Sequence, residues 1–220
     1  MQPRNDLYPG YDVLAKRDSP SWNAKTRDVI AARLAIGPGS RRFFDAAEWA
    51  ILAALCARIV PQPADRADPI PVPALIDDKL QSGAQDGYRN AALPEQGEAW
   101  RRGLKALDAE ARRAFGCGFA QLGGQAQDEL LALAESGVLK DPAWDGMPCD
   151  LFFKQRVLPD VVRSYYGHPT AWSEIGWGGP ASPRGYVRMD FDRRDPWEAA
   201  EAHPGREAEA RAENLRIGRR

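Results

Sequence analysis

The side chains that most often carry chemistry are thinly spread along this chain of 220 residues. Its two histidines, His168 and His203, each stand directly before a proline, and neither has a nucleophile, acid or metal-ligating partner at a recognisable spacing. The three cysteines, Cys56, Cys117 and Cys149, are far apart and form no CxxC pair, so a zinc ribbon, an iron–sulfur run and a CxxCH haem attachment are all excluded. One disulfide with a thiol left over and three reduced thiols both fit that spacing. HExxH, GxSxG and phosphate-loop patterns are absent, and the glycine pairs Gly123-Gly124 and Gly178-Gly179 do not build the GxGxxG turn that a dinucleotide needs. Acidic clusters such as Asp77-Asp78 and Glu207 to Glu213 read as charged helix faces rather than acid–base pairs. His168, beside Tyr166 or Glu174, is the one catalytic candidate, and ordering of the turn Gly167-His168-Pro169 is the favoured role even for it. The expectation is therefore a chain with no catalytic, cofactor or metal site of its own.

Composition narrows the partners. A net charge of −1 with 28% charged residues gives no overall attraction to nucleic acid or anionic lipid. The 44% hydrophobic content is enough for a core, while 18 prolines cut the chain into short elements and seven tryptophans offer anchors for a core or an interface.

The elements that hold these residues are read as mostly α, an irregular helical bundle. The first 20 residues mix proline, glycine and charge without a period, which predicts an extended N-terminal arm. Helices are expected from Ser21 to Ala35 and from Asp45 to Val60, with Ile51, Leu52, Leu55 and Ile59 on one face. Ala74 to Ser82 follows, ending at Gly83. Pro94 to Phe115 is the clearest long helix, with Trp100, Leu104, Leu107, Ala111 and Phe115 recurring every three or four positions. Gln125 to Val138 is helical by the same test, and Pro148 to Tyr166 is helical with a disturbance at Pro159. Alternation of period two is scarce, so no sheet is expected. After Gly167 the chain becomes a long aromatic segment rich in glycine and proline, with Trp172, Trp177, Tyr186, Phe191 and Trp197 on irregular backbone. That composition favours packing against a partner, against the chain's own helices, or both. From Glu198 onward mixed charges suggest a solvated helix or a frayed tail.

Ser40-Arg41-Arg42-Phe43-Phe44 looks like a twin-arginine export core followed by an alanine- and leucine-rich stretch. Three features argue against that reading. About 40 residues precede it, Asp45 and Glu48 interrupt the apolar region, and Asp45 with Glu48 three residues on forms a helix-start pattern, with Phe44 placed to staple. No run of about 18 apolar residues exists, which argues against a membrane-spanning helix.

Phe43-Phe44-Asp45-Ala46-Ala47-Glu48, Arg58-Ile59-Val60-Pro61, and above all the run from Tyr165 through Gly167-His168-Pro169-Thr170-Ala171-Trp172-Ser173-Glu174-Ile175-Gly176-Trp177-Gly178-Gly179-Pro180 to Arg184-Gly185-Tyr186 resemble the gluconate 2-dehydrogenase subunit 3 family. The resemblance spans roughly Phe43 to Arg188. It implies a non-catalytic accessory subunit that binds a large glucose-methanol-choline (GMC) type dehydrogenase and stabilises it or assists its maturation. FAD would sit in the large subunit with no cofactor in this chain, and in several such systems a cytochrome c subunit completes the complex. It implies an organisation of N-terminal arm and short helix (1–42), helical subunit-3-like domain (43–188) and charged C-terminal tail (189–220). Partner-binding candidates are Tyr166, His168, Trp172, Glu174, Trp177, Gly178, Gly179, Pro180, Arg184 and Tyr186. Exported members carry a cleavable N-terminal twin-arginine signal. The N-terminus here reads as mature protein, which favours a cytoplasmic complex, with a periplasmic one exported on the partner's signal as the other route. A helical scaffold or regulatory protein outside redox chemistry is the alternative function.

Overall fold

In a computed structural model, which describes residues 6–87, 90–180, 195 and 197–217, the chain is helical and carries no strand element among the described residues. It divides into two compact units, one of residues 36–165 and one of residues 1–35 with 166–220. No described helix is long and apolar enough to cross a membrane.

Near the start of the first unit, Ser40-Arg41-Arg42-Phe43-Phe44 is a structural entry to a helix. The backbone N–H groups of Arg42, Phe43 and Phe44 all donate to the carboxylate of Asp77, at 2.7 to 3.2 Å. Helix α2, Ala46–Ile59, then starts with the capping box its sequence announces. Asp45 accepts from the Glu48 N–H at 2.8 Å and Glu48 returns the bond to the Asp45 N–H at 2.9 Å. The Phe44 ring meets Trp100 edge-on. Helix α3, Val72–Gln81, has proline at its start and Gly83 after its end.

Helix α4, Gln96–Phe115, is the centre of this unit. Trp100, Leu104, Leu107 and Ala111 are buried as their spacing predicts. Phe115 is exposed, because it is the last helical residue before the left-handed Gly116 and projects past the end of the packed stripe. Gly103 marks the closest approach. A Cβ there would lie 2.2 Å from the Phe152 ring, which also packs edge-on against Trp100 at 5.6 Å between centroids. Helix α5, Gly124–Glu135, follows. The stretch from Pro148 to Tyr166 is α6 (Cys149–Phe152), a π-helical turn (Phe153–Val157) and α7 (Leu158–Tyr166). The disturbance expected at Pro159 thus takes the form of a widened turn just before it. In a regular helix the Pro159 nitrogen would have to donate to the Gln155 carbonyl, and that carbonyl instead accepts from Arg156 Nη1 at 3.1 Å.

The second unit corrects the expectation of an extended arm. Residues 6–22 fold around a 3₁₀ turn, Val13–Lys16, capped by Asp12. Tyr11 and Val13 are buried in a core with Trp22, Ile30, Trp172 and Ile217. Absence of a period identifies irregular backbone, but burial of irregular backbone depends on contacts distant in sequence. Helix α1, Ala24–Leu34, is capped by Asn23, and its Ile30 is buried while the adjacent Val29 is exposed. Helix α8 is Pro169–Glu174 and α9 is Glu207–Asn214. The C-terminal stretch is a helix with one face inward: Ala210, Asn214 and Ile217 are buried, and Asn214 hydrogen-bonds the carbonyls of Pro9 and Ala200 and the Ala200 N–H.

Candidate functional site

The candidate surface, Tyr166 to Pro180, lies in the second unit and is built around α8. His168 caps that helix, its Nδ1 accepting from the Thr170 N–H at 3.3 Å, and Pro169 supplies the first helical residue with its torsion already set. His168 is buried, as is the face of α8 bearing Ala171 and Trp172. Trp172 is 2% exposed, donates its indole N–H to the Tyr166 carbonyl at 2.6 Å, and packs into the core beside Trp22. The Arg33 guanidinium stands over its ring and donates to the Gly167 carbonyl, and burial pushes this guanidinium below its ordinary pKa. Ser173 accepts from the Val13 N–H at 3.1 Å and donates to the Pro169 carbonyl, which ties α8 to the 3₁₀ turn. Gly179 has φ of 67°, and its α-carbon faces the Trp172 and Trp22 rings so closely that a side chain would meet Trp172 at 3.0 Å.

Against this interior stands an exposed set. Tyr166, Ile175 and Trp177 are 47%, 46% and 38% exposed, and Glu174 lies between them in the sequence, also exposed. The Trp177 ring stands edge-on to Trp172 at 4.9 Å between centroids, and its backbone N–H donates to the Trp172 carbonyl. Gly178 faces the buried Lys16 ammonium, which itself donates to Ser21 and lies 5.5 Å from the Trp22 ring centroid. A cavity of about 580 Å³ in the same unit is lined by Lys16, Trp177, Gly178 and Trp197 among others.

The sequence-named residues therefore separate. His168, Trp172 and Gly179 are scaffold, Tyr166, Glu174 and Trp177 face outward, and Gly178 and Pro180 are half-buried. Arg184 and Tyr186 lie outside the described residues. Ile175 joins the exposed set although a single aliphatic in a Gly-rich run carries little signal in the sequence beyond its place just after the last helical residue. Among the described residues no group of three or more His, Cys, Asp or Glu is arranged to hold a metal. The three cysteines are unpaired, and burial pushes the Cys56 thiol far up.

Comparison with curated proteins returned no match, and neither did comparison with solved structures. The family model for gluconate 2-dehydrogenase subunit 3 matches residues 46–179, a span that takes in α2 through α8 and ends at Gly179. That match covers more than half of the sequence, and the chain belongs to the gluconate 2-dehydrogenase subunit 3 family.

Proposed function

We propose that this chain is a non-catalytic small subunit that binds a FAD-dependent GMC-type dehydrogenase and stabilises it or assists its maturation. In this reading FAD and the substrate site belong to the large subunit, and a cytochrome c subunit is a further candidate member of the complex. The docking surface is the outward set Tyr166, Glu174, Ile175 and Trp177. The observation that carries the proposal is the placement of these exposed side chains inside the family-matched span, at the two ends of the short helix α8, whose inner face is locked by Trp172, His168 and Ser173. A large apolar side chain held at the surface by a rigid base loses little entropy on binding, which is the usual setting of an interface anchor.

The test is co-expression with a FAD-dependent GMC-type dehydrogenase large subunit, capture by a tag on the small subunit, and absorbance of the eluate at the flavin bands. A stoichiometric yellow complex is expected. Trp177→Ala and Tyr166→Ala should each reduce complex affinity by about tenfold or more, in keeping with hot-spot losses of over 1 kcal/mol, with the helical circular dichroism unchanged. Undiminished capture by both variants would remove the docking assignment, and a colourless eluate from the wild type would remove the dehydrogenase partner.

A further inference from the structure

Apart from the proposed docking surface, the first unit contains a cluster of charged side chains drawn from several elements. Its centre is Asp86, carried by the connection between α3 and α4. The Lys79 ammonium donates to both Asp86 oxygens at 2.8 and 2.9 Å, and Gln96 Nε2 donates to Oδ2 at 2.7 Å. Arg156 of the π turn and Arg163 of α7 stand 3.5 and 3.4 Å from the same carboxylate. Among the described residues the cluster's second carboxylate is Asp160 of α7, which accepts from Lys79 at 2.7 Å and from the Trp100 indole at 2.8 Å. Three cations thus face two acids, and Asp86 is the one that comes from a connection rather than a helix.

One further atom sets the cluster apart from a finished ion-pair network. Arg156 has a side chain only 8% exposed, and its Nε has no hydrogen-bond partner among the described residues. A buried guanidinium N–H left unsatisfied is costly, so a single loop carboxylate does not use all that these side chains offer. The helices have built more oxyanion-binding capacity than Asp86 consumes.

We infer that Lys79, Gln96, Arg156 and Arg163 form an oxyanion seat that Asp86 occupies in cis and that a separate carboxylate or phosphate takes when Asp86 is withdrawn. The seat is made by three helices and the π turn, whose widened backbone places Arg156 next to the cluster. This inference is independent of the docking assignment, since it involves none of its residues.

Chemical rescue tests it. Asp86→Ala removes the cis occupant and should lower the melting temperature of the purified chain. Sodium formate and inorganic phosphate, titrated against sodium chloride at equal ionic strength, should restore it saturably, by about 3 °C at roughly ten times the dissociation constant. The double variant Asp86→Ala with Arg156→Gln should show no such restoration. If Asp86→Ala responds to these anions no more than to chloride, the seat does not exist. Should Asp86→Ala not fold, hydrogen exchange on the wild type decides. Saturable, phosphate-dependent loss of protection at residues 84–87 supports exchange of the occupant, and identical exchange with phosphate and chloride overturns it.

Discussion

Asp77 illustrates what single residues do in this chain. Sequence reading placed it on a charged helix face, yet it is fully buried and receives three consecutive backbone N–H donors from Arg42 to Phe44. Asp77→Ala leaves those amides without an acceptor, and since only the Phe44 amide is buried while water can reach Arg42, the loss should be about 1–3 kcal/mol. Asp77→Asn keeps an acceptor oxygen and should lose less. Thermal melts of both variants check the order. Trp172 belongs to the same class: its removal empties the core of the second unit, so Trp172→Ala should cost about 3–5 kcal/mol and abolish binding by unfolding, whereas Trp177→Ala should spare stability. Asp86 adds a pH dependence. Burial alone would raise its pKa, but the hydrogen bond and charge of Lys79, with Gln96 and Arg163, outweigh that and hold it below the usual carboxylate range. A depressed folded-state value means that the carboxylate stabilises fully above about pH 4, its unfolded pKa, and that this contribution fades as the pH falls through the folded value. The difference in melting temperature between wild type and Asp86→Asn should therefore be flat from about pH 5 to 8 and shrink below about pH 4. A difference that grows on acidification would contradict the sign.

At the scale of elements, the helices were legible because their signals are local. Apolar residues every three or four positions, the Asp45–Glu48 box and the Gly83 and Gly116 stops require no knowledge of the rest of the chain. What could not be read is what crosses between elements. Glu110 sits on the apparently charged side of α4, yet it is 1% exposed, accepting from the Asp141 N–H and the Trp144 indole. The π turn escaped for the same reason, since a proline announces a disturbance but not the geometry that absorbs it. Gly103 offers the sharpest test of an element contact. In Gly103→Ala the new methyl would overlap the Phe152 ring, and forcing α4 and α6 apart should cost more than about 2 kcal/mol despite alanine's better helix propensity. Combining it with Phe152→Leu should give a smaller loss than the sum of the two single changes, because the overlap is then gone. Additive losses would show that the close approach is not what requires glycine.

Over the whole molecule, the two ends of the chain make one unit, and this is the feature that a pass along the sequence is least equipped to find. The N-terminal residues have no periodicity because they are not a face of anything. They are single plugs, Tyr11 and Val13, in a core completed by Ile217 from the other terminus and by Trp172 of α8. Asn214 fastens the arrangement through Pro9 and Ala200. Of the aromatic segment, Trp172 and Trp197 pack with the chain's own N-terminal residues, Trp177 is exposed, and Tyr186 and Phe191 lie outside the described residues. Removing the residues after Gly205 deletes Ala210, Asn214 and Ile217 from this unit. The lost apolar burial and the three Asn214 hydrogen bonds together amount to about 5 kcal/mol. The truncated protein should then show fast hydrogen exchange at the amides of Val13 and Trp177, which are hydrogen-bonded to Ser173 and Trp172 in the intact chain, and should capture the proposed flavoprotein partner poorly although Tyr166, Ile175 and Trp177 remain present. If those amides stay protected and capture is unchanged, the C-terminal helix is an ornament on the docking unit. If protection and capture fall together, the exposed anchors depend on both chain ends for their rigidity, which would explain why short α8 is buttressed so heavily.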